Sequence, residues 1–508
     1  MQVTRLFCTL LAAGLAPALL AAPAAKPQEL SLDECIQIAL QHNLDVQIQR
    51  INPEIGRFTL SGAYGAYDPS FTAGYTHGYN LSTPSFSSVI NANVPGSQTD
   101  GDNYSLGLGG LLPTGTTYSF SGTATDANGN SYYTTATNIF GVPIAYASSS
   151  ASVNLKQPLL KNFWTDGSRL NIQLSKRNLK INELALRLQI MTTVTSVEQA
   201  YYELIAAQET VIAQQIGLDL AEQLLRENKR RVEVGTLAPL DEKQAESQAA
   251  TSRAALIAAR NAVVLRQNAL KNLLSDRYGD WKDVDLEPGD KLSEVPPVLD
   301  RQDSWSKGLT LRPDLLQAKL SVEKNNITLR YNKNQLYPEL DVVGSYGRNG
   351  TGGLNGSLWG SLGGIRDAAG EQYSYGFALT IPLSNRTAKN NYRTAKAQVE
   401  QSLLQLKQLE QTIMVNIEND IAQARSSYEQ VQATKEAVEF AIAALDAEKK
   451  KLDNGKSTSF QVLSLQSTLT TSRYNAIRAL ADYNEALSQL ALAEGTTLER
   501  SHISLEVK

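Results

Sequence analysis

Three histidines, His42, His77 and His502, are the residues best suited to hold a metal ion or relay a proton. They are scattered, and none has a cysteine or a paired carboxylate at ligand spacing, so the pattern does not suit a metal centre. Cys8 and Cys35 are the two thiols. Cys8 falls in a leader-like segment, and a lone Cys35 on a helix reads as a small buried apolar residue. The chain has neither the Gly-x-x-x-x-Gly-Lys-Ser/Thr phosphate loop nor a Gly-x-Ser-x-Gly nucleophile elbow. Gly107 to Gly110 and Gly360 to Gly364 read as loop or strand glycines, not phosphate cradles. Glu448 and Lys451 read as a solvated ion pair on an exposed helix face. The chemistry points away from an enzyme and away from any cofactor.

The elements that carry these residues look elongated. Of 508 residues only 7% are aromatic, a poor supply for large compact cores. A net charge of −4, with no basic face interleaved with aromatics, argues against nucleic acid. The chain opens with Arg5, an apolar run from Leu6 to Leu20 and small residues from Ala21 to Ala25. That reads as a secretory signal over residues 1–24; Ala22-Pro23-Ala24 fits the A-x-A cleavage rule, and cleavage after Ala22 is nearly as good. No later run reaches 18 apolar residues, so any membrane insertion would be by strands.

Two heptad ladders organise the rest. Val197, Leu204, Val211, Leu218, Leu225 and Val232 run into Gly235; adding 220 gives Ile417, Ala424, Val431, Val438, Leu445 and Leu452, running into Gly455. Such sustained spacing is a coiled-coil seam. Each ladder belongs to a hairpin of a long and a shorter helix, over about 169–274 and about 393–493. The long helix of the first, near Arg169 to Val234, would be ~100 Å long at ~1.5 Å per residue.

Between the helices the period changes to two. Phe71, Ala73, Tyr75 and Tyr79 alternate with Thr72, Gly74, Thr76 and Gly78, and similar alternation follows at Tyr104–Leu108, Tyr118–Ala124 and Ala151–Leu155. Ser/Asn/Gly-rich stretches such as Asn80–Asn103 and Asp126–Asn138 read as loops. The second half repeats the order at a shift of 269, which carries Pro69 onto Pro338. Two strands there flank a Gly-rich loop, Gly350–Gly364. The chain thus divides into repeats at 25–298 (strands about 67–157, connector 276–298) and 299–508 (strands about 339–382, then a C-terminal tail). The first repeat has room for four strands and the second for two. The turn Leu112-Pro113-Thr114-Gly115 would close the extra pair, and the sequence leaves open whether that hairpin joins a barrel wall.

Tyr-rich alternating strands joined by polar loops suit an outer-membrane wall, or a soluble antiparallel sheet with one wet face. In lipid, four to six strands cannot close alone, so several protomers would share a barrel. The fold class expected is mainly α with membrane β, internally duplicated. Two other classes stay open: a surface-anchored structural protein or adhesin with a coiled-coil stalk, and a secreted enzyme on a β scaffold.

Ser31-Leu32 with Ala39-Leu40 and Asn43, Arg312-Pro313-Asp314-Leu315, the strand ends at Pro158 and Pro382 and the two glycine turns, in this order, resemble the TolC-like outer-membrane efflux proteins over essentially all of the mature chain. The resemblance implies a homotrimer with a shared, typically twelve-stranded barrel above an α-helical barrel. It implies a gated exit duct in the outer membrane of a Gram-negative-type cell, with the helices in the periplasm. It also implies partners: outer-membrane lipid, a periplasmic adaptor (membrane fusion) protein and an inner-membrane transporter, as in tripartite efflux or type I secretion. Val234-Gly235-Thr236 looks like the family's Val-Gly-Leu tip, and Asp241 with Gln244-Ala245 matches the family's Asp and polar-Ala pair beyond that tip. Asn454-Gly455-Lys456 keeps the glycine of the second tip. Where some relatives carry two carboxylates after that turn, this chain has Gln461 and Ser464, so Asp241 and Glu242 are left as the acidic gate candidates.

Overall fold

The computed structural model describes residues 28–296, 298–352 and 357–503. The expected signal, with Cys8, and the end of the C-terminal tail lie outside them. In chain order the elements are β1 (Gln28–Leu30), α1 (Leu32–His42), α2 (Leu44–Tyr64), β2 (Ser70–Leu81), β3 (Ser85–Ser87), β4 (Ala92–Val94), β5 (Gln98–Leu111), β6 (Thr117–Thr134) and β7 (Ile139–Pro158). Then come α3 (Gly167–Glu233), α4 (Pro239–Leu274), α5 (Tyr278–Trp281), β8 (Leu286–Pro288), α6 (Arg301–Leu311) and α7 (Pro313–Asn334). The chain continues through β9 (Glu339–Thr351), α8 (Leu358–Arg366), β10 (Gly370–Thr380), α9 (Arg386–Asp453), α10 (Ser459–Glu494) and α11 (Thr497–Arg500).

Two compact units result, and neither coincides with a sequence repeat. Among the described residues, one comprises those up to Asn43 with Ser196–Val295 and Ser427–Glu485; the other comprises Leu44–Thr195, Pro296–Ser426 and those from Ala486.

In the first unit Ser31 caps α1 through a reciprocal bond with Glu34, satisfying helix-end donors that would otherwise be orphaned. Cys35 is fully buried, and burial pushes its thiol up to about 12. The connector is tied into this unit over residues 286–293. Its β8 pairs parallel with β1, Asp290 accepts from Tyr201 Oη at 3.0 Å, and Ser293 N–H donates to Asn484 at 3.1 Å. The first ladder is buried here at Val197, Leu204 and Leu218 and the second at Val431, Leu445 and Leu452, but towards Gly235 Leu224 is buried and the rung Leu225 only half-buried. An ideal helix drifts against a strict heptad, so the seam moves to a neighbouring stripe.

In the second unit six strands form one antiparallel sheet in the order β10-β9-β7-β6-β5-β2. The extra hairpin β5–β6 is therefore part of this sheet. Leu315, Ile413, Ile417, Ile421 and Leu490 build the helical core of this unit.

Three expectations are corrected. Asp126–Asn138 is mostly strand, because β6 and β7 stay paired up to Thr134 and Ile139. Tyr133 stacks on Phe140 across that end at 5.6 Å, so cross-strand packing overrides the loop-like composition. The Gly350–Gly364 stretch contains a helix, α8, whose first turn is capped by the Ser357 hydroxyl accepting from Gly360 N–H. Finally α9 starts at Arg386 instead of near Arg393, since no breaker lies between the Ser384-Asn385 turn and the first apolar rung.

Candidate functional site

Each long helix stops on a glycine in the left-handed region, Gly235 at φ +75° and Gly455 at φ +71°. Thr236 N–H donates to the Arg231 carbonyl at 2.8 Å and Lys456 N–H to the Lys451 carbonyl at 2.8 Å. The glycines themselves donate to Val232 and Leu452 at 3.0 Å each. This closure puts a left-handed residue at the helix end and suits glycine. An added Cβ meets nothing at either position, so the cost of a side chain is conformational. Gly235→Val and Gly455→Val should each lower stability by about 1–2 kcal/mol, and thermal unfolding in detergent checks this.

Side chains tie the turns down. Thr236 Oγ1 donates to the Arg231 carbonyl at 2.9 Å, and Asn454 Nδ2 to the Lys450 carbonyl at 2.7 Å. Glu448 is not the freely solvated partner expected from sequence. Its side chain is 14% exposed and accepts from Ser457 and from Lys451 at 3.0 Å. Those bonds, Ser457's foremost, hold its carboxyl below the usual range.

Asn228 connects the two hairpins. It is 1% exposed, and its Nδ2 donates to the Asp241 carbonyl at 3.3 Å and to the Ser459 hydroxyl at the start of α10. Near it Arg231 pairs with Asp453 at 3.2 Å. Leu224, Leu445, Leu452, Val462 and Leu463 form the apolar packing alongside.

The sheet has two chemically distinct faces. Phe71, Leu108, Phe120, Val153, Tyr346 and Tyr373 stand side by side on one. The next row on the other face reads Thr72, Gly107, Ser121, Ser152, Gly347 and Gln372. The apolar face is bare over much of its area: Phe71 is 69%, Phe377 75% and Tyr375 85% exposed. Such a patch on one chain marks an interaction surface. Helix α8 lies on this same face, its backbone against Gly350, where a Cβ would come within 1.9 Å of the Ser361 carbonyl oxygen. A groove of about 430 Å³ between helix and sheet is lined by Tyr104, Leu108, Phe120, Leu362 and Ile365. Trp359 of α8 is 80% exposed.

The sequence model of the outer membrane efflux protein family matches residues 115–275 and 306–496. The chain belongs to that family. It is 25% identical over 414 residues to outer membrane protein TolC of Escherichia coli K12, covering 78% of this chain and 77% of that one. Its fold resembles that of the outer membrane protein VceC of Vibrio cholerae, with a TM-score of 0.64, 17% identity and coverage of 91% and 96%. The Campylobacter jejuni CmeC outer membrane channel gives a TM-score of 0.65, 14% identity and 99% coverage of both chains. The molecule is an outer-membrane efflux duct with a TolC-like, mostly helical fold.

In this efflux protein the expected tip residues Val234, Gly235, Thr236, Asn454, Gly455 and Lys456 are all exposed. Asp241 and Glu242, half-exposed, open α4, and the exposed Gln461 and Ser464 open α10. Sequence reasoning passed over Asn228. Its signal was a lone amide in the stripe Leu220, Leu224, Asn228, Val232, where a polar residue sets register. The histidines were read as lacking paired carboxylates, yet β2–β5 pairing brings Asp102 to 3.0 Å and Asp100 to 3.4 Å from His77. Among the described residues no group of three donors is placed to hold a metal.

A second charged cluster of the efflux protein lies on α3 and α10, where Arg478 reaches Glu203 at 2.6 Å, Asp482 at 2.5 Å and Glu485 at 3.6 Å. Burial, then the neighbouring Glu203, push the Glu485 carboxyl up from 4.5 to about 7. The folded chain thus keeps a proton that the unfolded chain releases. The associated stability is fully present below the unfolded value and is lost as pH rises through 7. From pH 5 to pH 8 the melting temperature of the native protein should fall relative to Glu485→Gln, by about 2–4 °C. Parallel thermal scans of the two proteins check this.

Proposed function

We propose that three copies share one transmembrane β-barrel, that their long helices form an α-helical barrel in the periplasm, and that this homotrimer is the passive exit duct of a tripartite exporter. The observation that carries this is the open six-stranded sheet, aromatic and exposed on one face and lined with Ser, Thr and Gly on the other. Lipid covers an outward apolar band and water fills a polar interior in such walls. On this reading α8 and Trp359 lie on the lipid side of the wall, at the headgroup level that suits an exposed indole.

The repeats at 25–298 and 299–508 each supply one helical hairpin. The exposed turns at Val234-Gly235-Thr236 and Asn454-Gly455-Lys456 dock a periplasmic adaptor coupled to an inner-membrane transporter. Asp241, Glu242, Gln461 and Ser464 surround the closed end, and adaptor binding splays it. No enzymatic reaction is part of this reading, and no observation favours an adhesin.

Mass in detergent together with conductance in a planar bilayer tests it. A trimer with small closed-state currents, enlarged by substitutions at Asp241 or Gln461, is the expected result. A monomer that does not insert overturns it.

A further inference from the structure

Counting strands along the chain gives a wall wider than the resemblance implies. In the second repeat β9 and β10 are neighbours. In the first, β2 and β7 hold the corresponding places after Pro69 and before Pro158, and β5 and β6 stand between them. The register is continuous through all four: Thr72 opposes Gly107, Gly107 opposes Ser121, and Ser121 opposes Ser152. Ser121 and Ser152 hydroxyls lie 2.8 Å apart, and Thr123 and Ser150 hydroxyls 2.7 Å apart.

The helix-side end of the sheet shows how an extra pair fits. Strands β2, β7, β9 and β10 each connect to a helix there: α2, α3, α7 and α9. The β5–β6 pair does not. Leu112 N–H donates to the Thr116 carbonyl at 2.8 Å and closes the pair in a tight turn. Gly115 sits in that turn at φ +86°, and a Cβ on it would stand 2.8 Å from the Asn162 carbonyl oxygen. The hairpin is therefore seated against the β7–α3 connection, and glycine is needed there.

The two edges are complementary. With six antiparallel strands, β2 and β10 run in opposite directions, and they are of similar length at 12 and 11 residues. The β2 of one copy can pair antiparallel with the β10 of the next, and a sheet in lipid cannot leave such edges open.

Resting on the shared-barrel reading above, we infer that β2 and β10 are the interface with neighbouring copies and that the trimer closes into eighteen strands, not twelve. Barrel diameter grows roughly linearly with strand number, so the wall is about 1.5 times as wide as a twelve-stranded one. Eighteen-stranded walls enclose an aqueous channel. The small side chains of the Thr72–Gly107–Ser121–Ser152–Gly347 row leave that interior open. Each copy carries six strands on four helix connections, so the wall is wider than a one-strand-per-helix fit would make it.

Cysteine pairs in the full chain test this. Ser121→Cys with Ser152→Cys joins β6 to β7. Gly74→Cys with Ser105→Cys joins β2 to β5, at positions where a Cβ on Gly74 already comes within 2.7 Å of Ser105 Oγ. Oxidised in isolated outer membranes and extracted as trimers, both pairs should form disulfides within each chain in most of the protein. A Thr72→Cys, Asn154→Cys pair, joining β2 to β7, should form none. Trimers in which the β2–β7 pair forms while the other two fail would overturn the eighteen-strand wall and leave the trimer intact. A monomeric mass in detergent would overturn the trimer itself, and this count with it.

Discussion

Tyr375→Arg should abolish accumulation of the assembled protein in the outer membrane, whereas Ser374→Arg, one residue away, should leave assembly largely intact. The two positions point to opposite faces of β10. Tyr375 lies in the row with Leu155, Gly344 and Tyr118 on the apolar face and is 85% exposed. If lipid covers that face, a guanidinium near the centre of the band costs about 2–4 kcal/mol. A threefold assembly incurs it three times. Ser374 faces the other way and pairs its hydroxyl with Ser345 at 2.7 Å. A long cationic side chain there extends into water. Quantifying trimer in outer-membrane fractions distinguishes the two, and equal behaviour would show that the face assignment is wrong.

Asn228→Ala should enlarge the closed-state current several-fold and loosen the helix tips. The amide donates to two acceptors that belong to different hairpins, the Asp241 carbonyl and the Ser459 hydroxyl. Ser459 is fully buried, so truncation leaves an unsatisfied group, at a cost of about 1–3 kcal/mol. The Asn228 Oδ1 has no partner among the described residues, so the loss is confined to the donor side. Arg231→Ala, which breaks the exposed pair with Asp453, should have a much smaller effect, about 0–1 kcal/mol. Single-channel recordings of both variants check the order. An unchanged current for Asn228→Ala would mean that the hairpins are held together elsewhere.

The sequence by itself determined where the long helices end and which way strand residues face. Helix ends at Gly235 and Gly455, the α1 cap at Ser31 and the alternation of Phe71 with Thr72 are set by local chemistry within a few residues, and local chemistry is readable in one dimension. Which side chains share a face of the sheet followed from the same alternation, because a strand's two faces are written every second residue. The tertiary structure decided whatever depends on pairing across the chain. β5–β6 lies inside the sheet only because β2 and β7, which lie outside its two ends in the chain, pair with its two free edges. Asn228 became a clamp when residues 13 and 231 positions away met its amide. His77 acquired Asp100 and Asp102 the same way, across the β2–β5 ladder. α8 emerged from a glycine-rich stretch because Gly350 and Gly364 let helix backbone rest on strand backbone. Periodicity encodes which way a residue faces, and the packing partner on that side is supplied only when distant segments fold together.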